Sequence, residues 1–424
     1  MDLNRSNKPY DLAIYGATGF TGRQTAEKLW KAAQTYGLKL TLAGRNLEKL
    51  ETLRSSLGPK AEALVGIHVA ESSDAEALKS LAESTRVLVN TAGPFAQFGP
   101  GVVQACVDAS TDYIDITGET PFVRKIIDLH DEAAREKKVR IIPFCGFDSV
   151  PSDLGFWFAL KSWNERDTQG RCSSITTLFE ARGGFNGGTI ASALGMAQDG
   201  TLKEATEDLT LLCPKNGARP PSPSDWVGPK KIEELDAWGV PFFMSPINTR
   251  VVRRSQSLFG SDTLAPSGAD WIQIAYEEGL LLRGPLAPWI GRVIGKIQTS
   301  FSNFVPNNSL FSVIRSFLPK PGEGPSERQM ENGFMRVTTV ARGNQGPAQI
   351  TRVSSKGDPG NRITVSILTE SALCLVLERE QLPERFGVLT PAYAFEGVLL
   401  ERLRNQGFKF EVLPLFEQSS PRLA

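Results

Sequence analysis

The chain has 424 residues, with 47 Lys and Arg against 47 Asp and Glu; 41% of residues are hydrophobic and 22% charged. That length implies two or three domains, and the composition supplies a large apolar core and excludes wholesale disorder. Zero net charge argues against a nucleic-acid binder, which needs a basic excess for phosphate contacts, and only two histidines, His68 and His130, exclude a His-rich metal centre.

The five cysteines, Cys106, Cys145, Cys172, Cys213 and Cys374, form no CxxC pair, and the polar N-terminus carries no signal-peptide pattern. Free thiols in a reducing, cytoplasmic compartment are expected. No uninterrupted apolar run reaches the ~18 residues of a membrane-spanning helix.

In chain order, strands are predicted at Asp11–Tyr15, Leu38–Ala43, Ala63–Val69, Val87–Asn90, Tyr113–Asp115 and Val139–Phe144. Helical patterns lie between them at Gly22–Tyr36, Leu47–Leu57, Asp74–Glu83, Pro100–Ala109 and Pro121–Glu136. This alternation predicts βαβ units. The fold class is therefore α/β, a Rossmann-type doubly wound parallel sheet followed by a second α+β domain. Beyond residue 155 the pattern changes. A strand is predicted at 174–182, a helix at about 189–212 and a loop at 213–230. Further strands follow at Trp271–Tyr276, Phe334–Ala341, Ile350–Ser354 and Arg362–Leu368, then a helix at Glu370–Glu378. The last helix, Thr390–Gly407, has Thr390 as its cap, Pro391 in its first turn and Gly407 at its end. The domains are placed at 1–155, 156–388 and 389–424.

The segment 279–322 has five basic residues, no Asp or Glu, and Trp289, Phe301, Phe304, Phe311 and Phe317 interleaved. Such a stretch suits an anionic membrane surface or lipid droplet. The competing reading is a pair of helices packed on the protein with their cations in water.

The strongest motif is Gly16-Ala17-Thr18-Gly19-Phe20-Thr21-Gly22, which follows a strand and opens a helix. Gly16 permits a tight turn, Gly19 a close approach of backbone to pyrophosphate, and Gly22 close helix–strand packing; the helix N-terminus then faces the phosphates. Strand two ends in Gly44-Arg45-Asn46, with Arg45 where NAD-preferring sites carry an acid. A guanidinium there matches a 2′-phosphate, so NADP(H) is the expected cofactor. Asn46 adds a hydrogen bond, and the loop Ala92-Gly93-Pro94 after strand four lets a cofactor pass closely. Thr117 and Glu119 after strand five, and Cys145 to Pro151 after strand six, should line the nicotinamide pocket.

Taken together, these segments resemble the saccharopine dehydrogenase-like oxidoreductases, a group that includes mycobacterial trans-acting enoyl reductases. The matching stretches are Gly16–Gly22, Leu42–Arg45, Val89–Gly99, Tyr113–Glu119 and Gly146–Gly155 in the first third. Arg182–Leu194, Pro319–Arg328, Gly357–Leu375 and Gly387–Gly407 follow. The resemblance implies a Rossmann domain using NADP(H), a second domain over the cofactor cleft, and a chain end that returns to the first domain.

Hydride chemistry belongs to the cofactor, but reduction also needs a proton donor. No Tyr-x-x-x-Lys pair stands in the expected place. Asp148 and Ser149 are the candidate catalytic residues, with a helix-capping role as the competing reading. Cys145 is expected as a packed thiol and His130 at the surface. Thr117, Glu119, Arg182 and Asn186 are candidate substrate contacts; the glycine-rich turn holding Arg182 and Asn186 reads equally well as a connector. No metal site is expected. The expected activity is NADPH-dependent reduction of a C=C bond in an unsaturated acyl, polyketide or terpenoid biosynthetic intermediate. Imine (C=N) reduction and a silent NADP-binding scaffold at a lipid surface are the alternatives. The expected partners are a hydrophobic or carrier-bound substrate, a second copy of the chain, and a membrane or lipid droplet touched peripherally.

Overall fold

A computed structural model describes residues 8–166, 170–183, 196, 200–217, 219–262, 271–302 and 324–414. The first sheet contains β1 (Tyr10–Tyr15), β2 (Leu40–Gly44), β3 (Val65–Val69), β4 (Thr85–Asn90), β5 (Asp112–Asp115) and β6 (Arg140–Ile142). Their order is β3-β2-β1-β4-β5-β6 and every pairing is parallel. β2 and most of β1 and β4 are apolar and buried, as parallel strands covered by helices on both faces must be. Helix α1 (Phe20–Tyr36) connects β1 to β2 and ends at Gly37, whose φ of 69° closes the helix in the left-handed region.

The chain then builds β7 (Cys172–Arg182), β8 (Lys230–Ile232), β9 (Ala237–Val240), β10 (Ala275–Leu282), β11 (Phe334–Gly343), β12 (Gln349–Lys356), β13 (Gly387–Val388) and β14 (Lys409–Leu413). The second sheet runs β14-β12-β11-β7-β10-β9-β8. It is antiparallel except for β7 beside β10. One face is covered by the buried helices α2 (Val150–Asn164) and α3 (Ser245–Ser261).

Several sequence expectations need correction. Arg362–Leu368 is helical: beyond α4 (Ala287–Ser302), a π turn at Pro359–Ile363 runs into α5 (Thr364–Leu377). The β-branched run Ile363, Thr364, Val365 and Ile367 mimics a strand, but this helix is buried on nearly all sides and so has no polar stripe to reveal its period. Pro359–Leu377 has the length and apolarity of a membrane span, and 78% of that window is buried inside the protein, packed on α1, β4 and β5. The chain end divides between the two sheets. The helix at Pro391–Asn405 does touch β6 of the first sheet, joined there by α5 and by β13, whose Gly387 lies opposite Arg140, whereas β14 pairs with β12 of the second sheet. Between 271 and 276 the strand begins only at Ala275. Of the helix expected over 189–212, Thr201–Glu207 is helical, whereas the described residues 208–212 that follow it form turns. β8, β9 and α3 lie outside the elements expected from the sequence. His130 is 7% exposed rather than at the surface, and burial lowers its pKa.

Two buried polar clusters tie the domains together. Arg250, Arg253 and Arg254 of α3 donate to the carbonyls of Thr206, Asp208, Leu209, Leu212 and Pro223, and Arg254 also reaches the carbonyl of Val388 on β13. Arg250 further pairs with Asp225 at 2.5 Å. The arginines thereby satisfy the backbone of a segment with little regular structure of its own. In the second cluster, Asp153 of α2 accepts from Ser255 and from the backbone N–H of Ala392. Asp153 therefore caps α6 (Pro391–Asn405) from another domain, and the Thr390 hydroxyl, expected as the cap, bonds Ser255 instead. Gly407 does end that helix region, with φ 86°.

Candidate active site

The carboxyl ends of β1, β2, β4, β5 and β6 converge on one edge of the first sheet, where a doubly wound fold holds its ligand. The glycine loop after β1 is constrained by sterics. Gly16 has φ 77°, and a Cβ there would lie 2.8 Å from the Ala92 nitrogen; a Cβ on Gly22 would lie 2.2 Å from the Gly16 carbonyl oxygen. Gly19 has an ordinary φ of −70°, and a Cβ there would lie 3.3 Å from the Gly16 oxygen, a close contact that asks for a far smaller shift than at Gly22. The first turn of α1 has neither an acidic residue nor a side-chain cap, so its amide groups face the loop unopposed. That donor set fits a pyrophosphate. Thr18, Phe20 and Thr21 are half-buried in this loop, and the Phe20 ring is covered by Gly324, where a Cβ would lie 2.3 Å from Cζ.

Separate roles follow for the glycines. Gly22→Ala should lower both the melting temperature and NADPH affinity, because backbone must move. Gly19→Ala should lower the melting temperature far less than Gly22→Ala and weaken NADPH by roughly tenfold or more, because the added methyl group intrudes on the loop where phosphate is expected to approach. Fluorescence titration and thermal melts check this; equal NADPH affinity in Gly19→Ala and wild type would disprove it.

At the end of β2, Arg45 is exposed and makes no ion pair among the described residues. Asn46 accepts from Lys49 N–H at 2.9 Å and so caps the following helix, Leu47–Ser56, leaving its amide NH2 to donate elsewhere. Across the cleft, Ala92 is fixed through its N–H, which donates to Asn90 at 2.9 Å, next to Gly93-Pro94.

Asp115, at the end of β5, organises the pocket. Its carboxylate accepts from Thr117 N–H (3.0 Å), Phe144 N–H (3.2 Å) and Tyr113 O–H (2.7 Å), and its carbonyl accepts from Cys145 N–H. Asn90 Nδ2 donates to the Tyr113 hydroxyl at 3.0 Å. One acid thus links the loops after β4, β5 and β6. Burial pushes its pKa up to about 7, against the opposing pull of these donors.

Two residues expected to contact substrate have other partners. Glu119 is 2% exposed and accepts Phe95 N–H (2.8 Å) and Ala96 N–H (2.7 Å) on its two carboxylate oxygens; Thr117 is 1% exposed and accepts from Glu119 N–H. Both shape the loops from beneath. Arg182 ends β7 in an exposed position, and Asn186 lies outside the described residues. The adjoining Gly183 presses on Pro359, where a Cβ would come within 2.5 Å of Cδ, and the same turn leads to Thr364, whose Oγ1 accepts from Phe147 N–H.

Asp148 and Ser149 separate on folding. Ser149 is fully buried, makes no helix-capping bond, and donates across the domain boundary to Asn248 Oδ1 at 3.5 Å. Asp148 remains half-buried in the loop after β6 and has no hydrogen bond or ion pair among the described residues. Burial alone pushes its pKa up to about 6. Cys145 is a packed thiol with its pKa raised by burial.

Sequence reasoning missed Glu278. It lies on β10, 1% exposed, and accepts from Ser152 Oγ (2.9 Å), Tyr276 Oη (2.9 Å) and Asn248 Nδ2 (2.8 Å). Burial pushes its pKa up to about 8. By holding the Asn248 amide, it fixes the acceptor that Ser149 uses. In the sequence it is indistinguishable from Glu277, which points outward to Lys230 and Trp226.

An aromatic seam starts beside Asp148. Phe147 meets Phe179 edge-on (centroids 6.0 Å apart), Phe179 packs on Phe242 (4.8 Å), and Phe242 meets Phe243 (5.3 Å), which is 52% exposed.

The Saccharopine dehydrogenase NADP binding domain model matches residues 12–142, the stretch containing the glycine loop and Arg45. A Mycobacterium tuberculosis protein named in the trans-acting enoyl reductase group is 34% identical over 97% of this chain and 100% of its own length. The trans-acting enoyl reductase of Mycobacterium bovis is 33% identical over 96% of this chain and 98% of its own. The apo saccharopine dehydrogenase (L-Glu forming) of Saccharomyces cerevisiae superposes with a TM-score of 0.55 at 11% identity, over 96% of this chain and 100% of that one, which shows a shared fold. The chain therefore belongs to the saccharopine dehydrogenase-like oxidoreductases, in the trans-acting enoyl reductase group, and is an NADP-dependent oxidoreductase.

Proposed function

We propose that this protein reduces a polarised C=C bond in a hydrophobic acyl or polyketide chain. The aromatic seam from Phe147 to Phe243 carries this reading. Its rings run from the exposed Phe243 through the buried Phe242 and Phe179 to Phe147 in the loop that holds Asp148, an apolar wall against which a hydrocarbon chain would pack. The names of the mycobacterial relatives agree with it.

Bound NADPH supplies a hydride to one carbon of the double bond. The protein must then deliver a proton to the neighbouring carbon. In this reading Asp148 Oδ donates it: the side chain is half-buried in the loop after β6, has no hydrogen bond or ion pair among the described residues, and burial pushes its pKa up to about 6. Asp115, Glu119 and Glu278 hold the surrounding loops, and Arg45 and the glycine loop orient the cofactor.

The test is NADPH oxidation with trans-2-enoyl thioesters of increasing chain length, beside preformed imines. Turnover on the thioesters is expected, with KM falling as the chain lengthens along the rings. Turnover on imines alone would select C=N reduction, and NADPH binding without turnover on either class would select the silent scaffold.

A further inference from the structure

Helix α4 is built with its large apolar side chains outward. Its inner face carries Ala287, Gly291 and Gly295. A Cβ on Gly295 would lie 2.0 Å from the Val227 carbonyl oxygen, and one on Gly291 would lie 2.7 Å from Val240 Cγ1, so the helix backbone sits directly on the protein. Trp289, Ile290, Val293 and Ile297, with Leu286 just before the helix, are instead 37–67% exposed. At 100° per residue these five positions form one stripe about 100° wide. A surface helix ordinarily turns such a stripe to the core, and a contiguous exposed one marks an interaction surface.

Charge selects the occupant. Arg292 and Lys296 flank the stripe, both exposed and without an ion pair among the described residues, and the sequence from 279 to 322 contains no Asp or Glu. Aliphatic side chains, a tryptophan and an acid-free cationic flank match the headgroup boundary of an anionic bilayer. We infer that α4 docks the protein on an anionic lipid surface, with the Leu286–Ile297 stripe among the acyl chains and Arg292 and Lys296 on lipid phosphates. Pro241, which lies under Gly295, directly precedes Phe242 and Phe243. The docked face therefore adjoins the outer end of the aromatic seam.

Docking is scored without turnover, so it stands or falls separately from the reductase reading. The full chain is floated with vesicles of phosphatidylcholine mixed with phosphatidylglycerol, and with phosphatidylcholine alone. Flotation with the anionic vesicles is expected. It should drop roughly tenfold or more for Trp289→Glu/Val293→Glu and for Arg292→Glu/Lys296→Glu, while melting temperature and NADPH affinity stay unchanged. Absence of flotation, equal flotation with neutral vesicles, or a fall from dimer to monomer in light scattering of Trp289→Glu/Val293→Glu would overturn the inference. The last outcome would make the stripe a contact between two copies of the chain.

Discussion

Asp148→Asn should lower kcat by about 10²- to 10³-fold, the range expected on losing a positioned proton donor, and leave NADPH affinity within about twofold. Asn keeps the size and polarity of the side chain and removes only the transferable proton. The pH dependence gives a second reading. With a pKa raised to about 6 by burial, Asp148 is protonated below that pH, so wild-type kcat should fall about tenfold per unit above it. The variant should lose this limb. Stability should fall with rising pH as activity does, and the substitution should move the two oppositely. The folded pKa lies above the ordinary carboxylate value, so ionised Asp148 destabilises the fold as pH rises through 6, and below about 4 the penalty vanishes. Asp148→Asn should therefore melt a few degrees higher than wild type at pH 8 and at the same temperature at pH 4. A variant that melts lower at pH 8, with kcat intact, would make Asp148 structural and remove it from the mechanism.

Arg45→Asp should reverse the cofactor preference. The guanidinium is exposed and lies at the end of β2, next to the glycine loop, with no ion pair to lose on substitution among the described residues, so stability should hardly change. A charge-assisted pair with a phosphate is worth about 1.5–3 kcal/mol, and an aspartate would add repulsion of similar sign. The KM for NADPH should rise by roughly 10²-fold, with kcat at saturation unaltered, while NADH becomes the better substrate because an acid there can accept from the ribose 2′-hydroxyl. An unchanged ratio of kcat/KM for the two cofactors would show that the 2′-phosphate is read elsewhere.

The parts of the site that depend on neighbours in sequence are legible without coordinates. Gly16, Gly19 and Gly22 fall between one strand and one helix, and their spacing follows from turn geometry. Arg45 is identified by its position at the end of the next strand. Parts that depend on contacts across the chain are not legible in this way. Thr117 and Glu119 belong to the right loop, yet only the fold shows that one carboxylate caps the Phe95 and Ala96 amides from inside. Asp148 and Ser149 are adjacent in sequence, yet one is left half-buried without a partner among the described residues and the other is fully buried against Asn248, 99 residues on. α5 reads partly as a strand because burial on all sides erases the periodicity by which a helix is recognised.

By itself, then, the sequence determined the nucleotide half of this protein: an alternating α/β order, a glycine-rich turn between the first strand and its helix, and a cation, Arg45, at the end of the second strand, all set by local periodicity and backbone sterics. The tertiary structure alone decided which acids matter. Glu277 and Glu278 differ only in the face of a strand they occupy, and that face is fixed by pairing β10 with β7 and β9. It also decided that the four phenylalanines lie in contact and that the apolar side of α4 turns outward, since strand register and helix rotation are set by packing between segments distant in the chain.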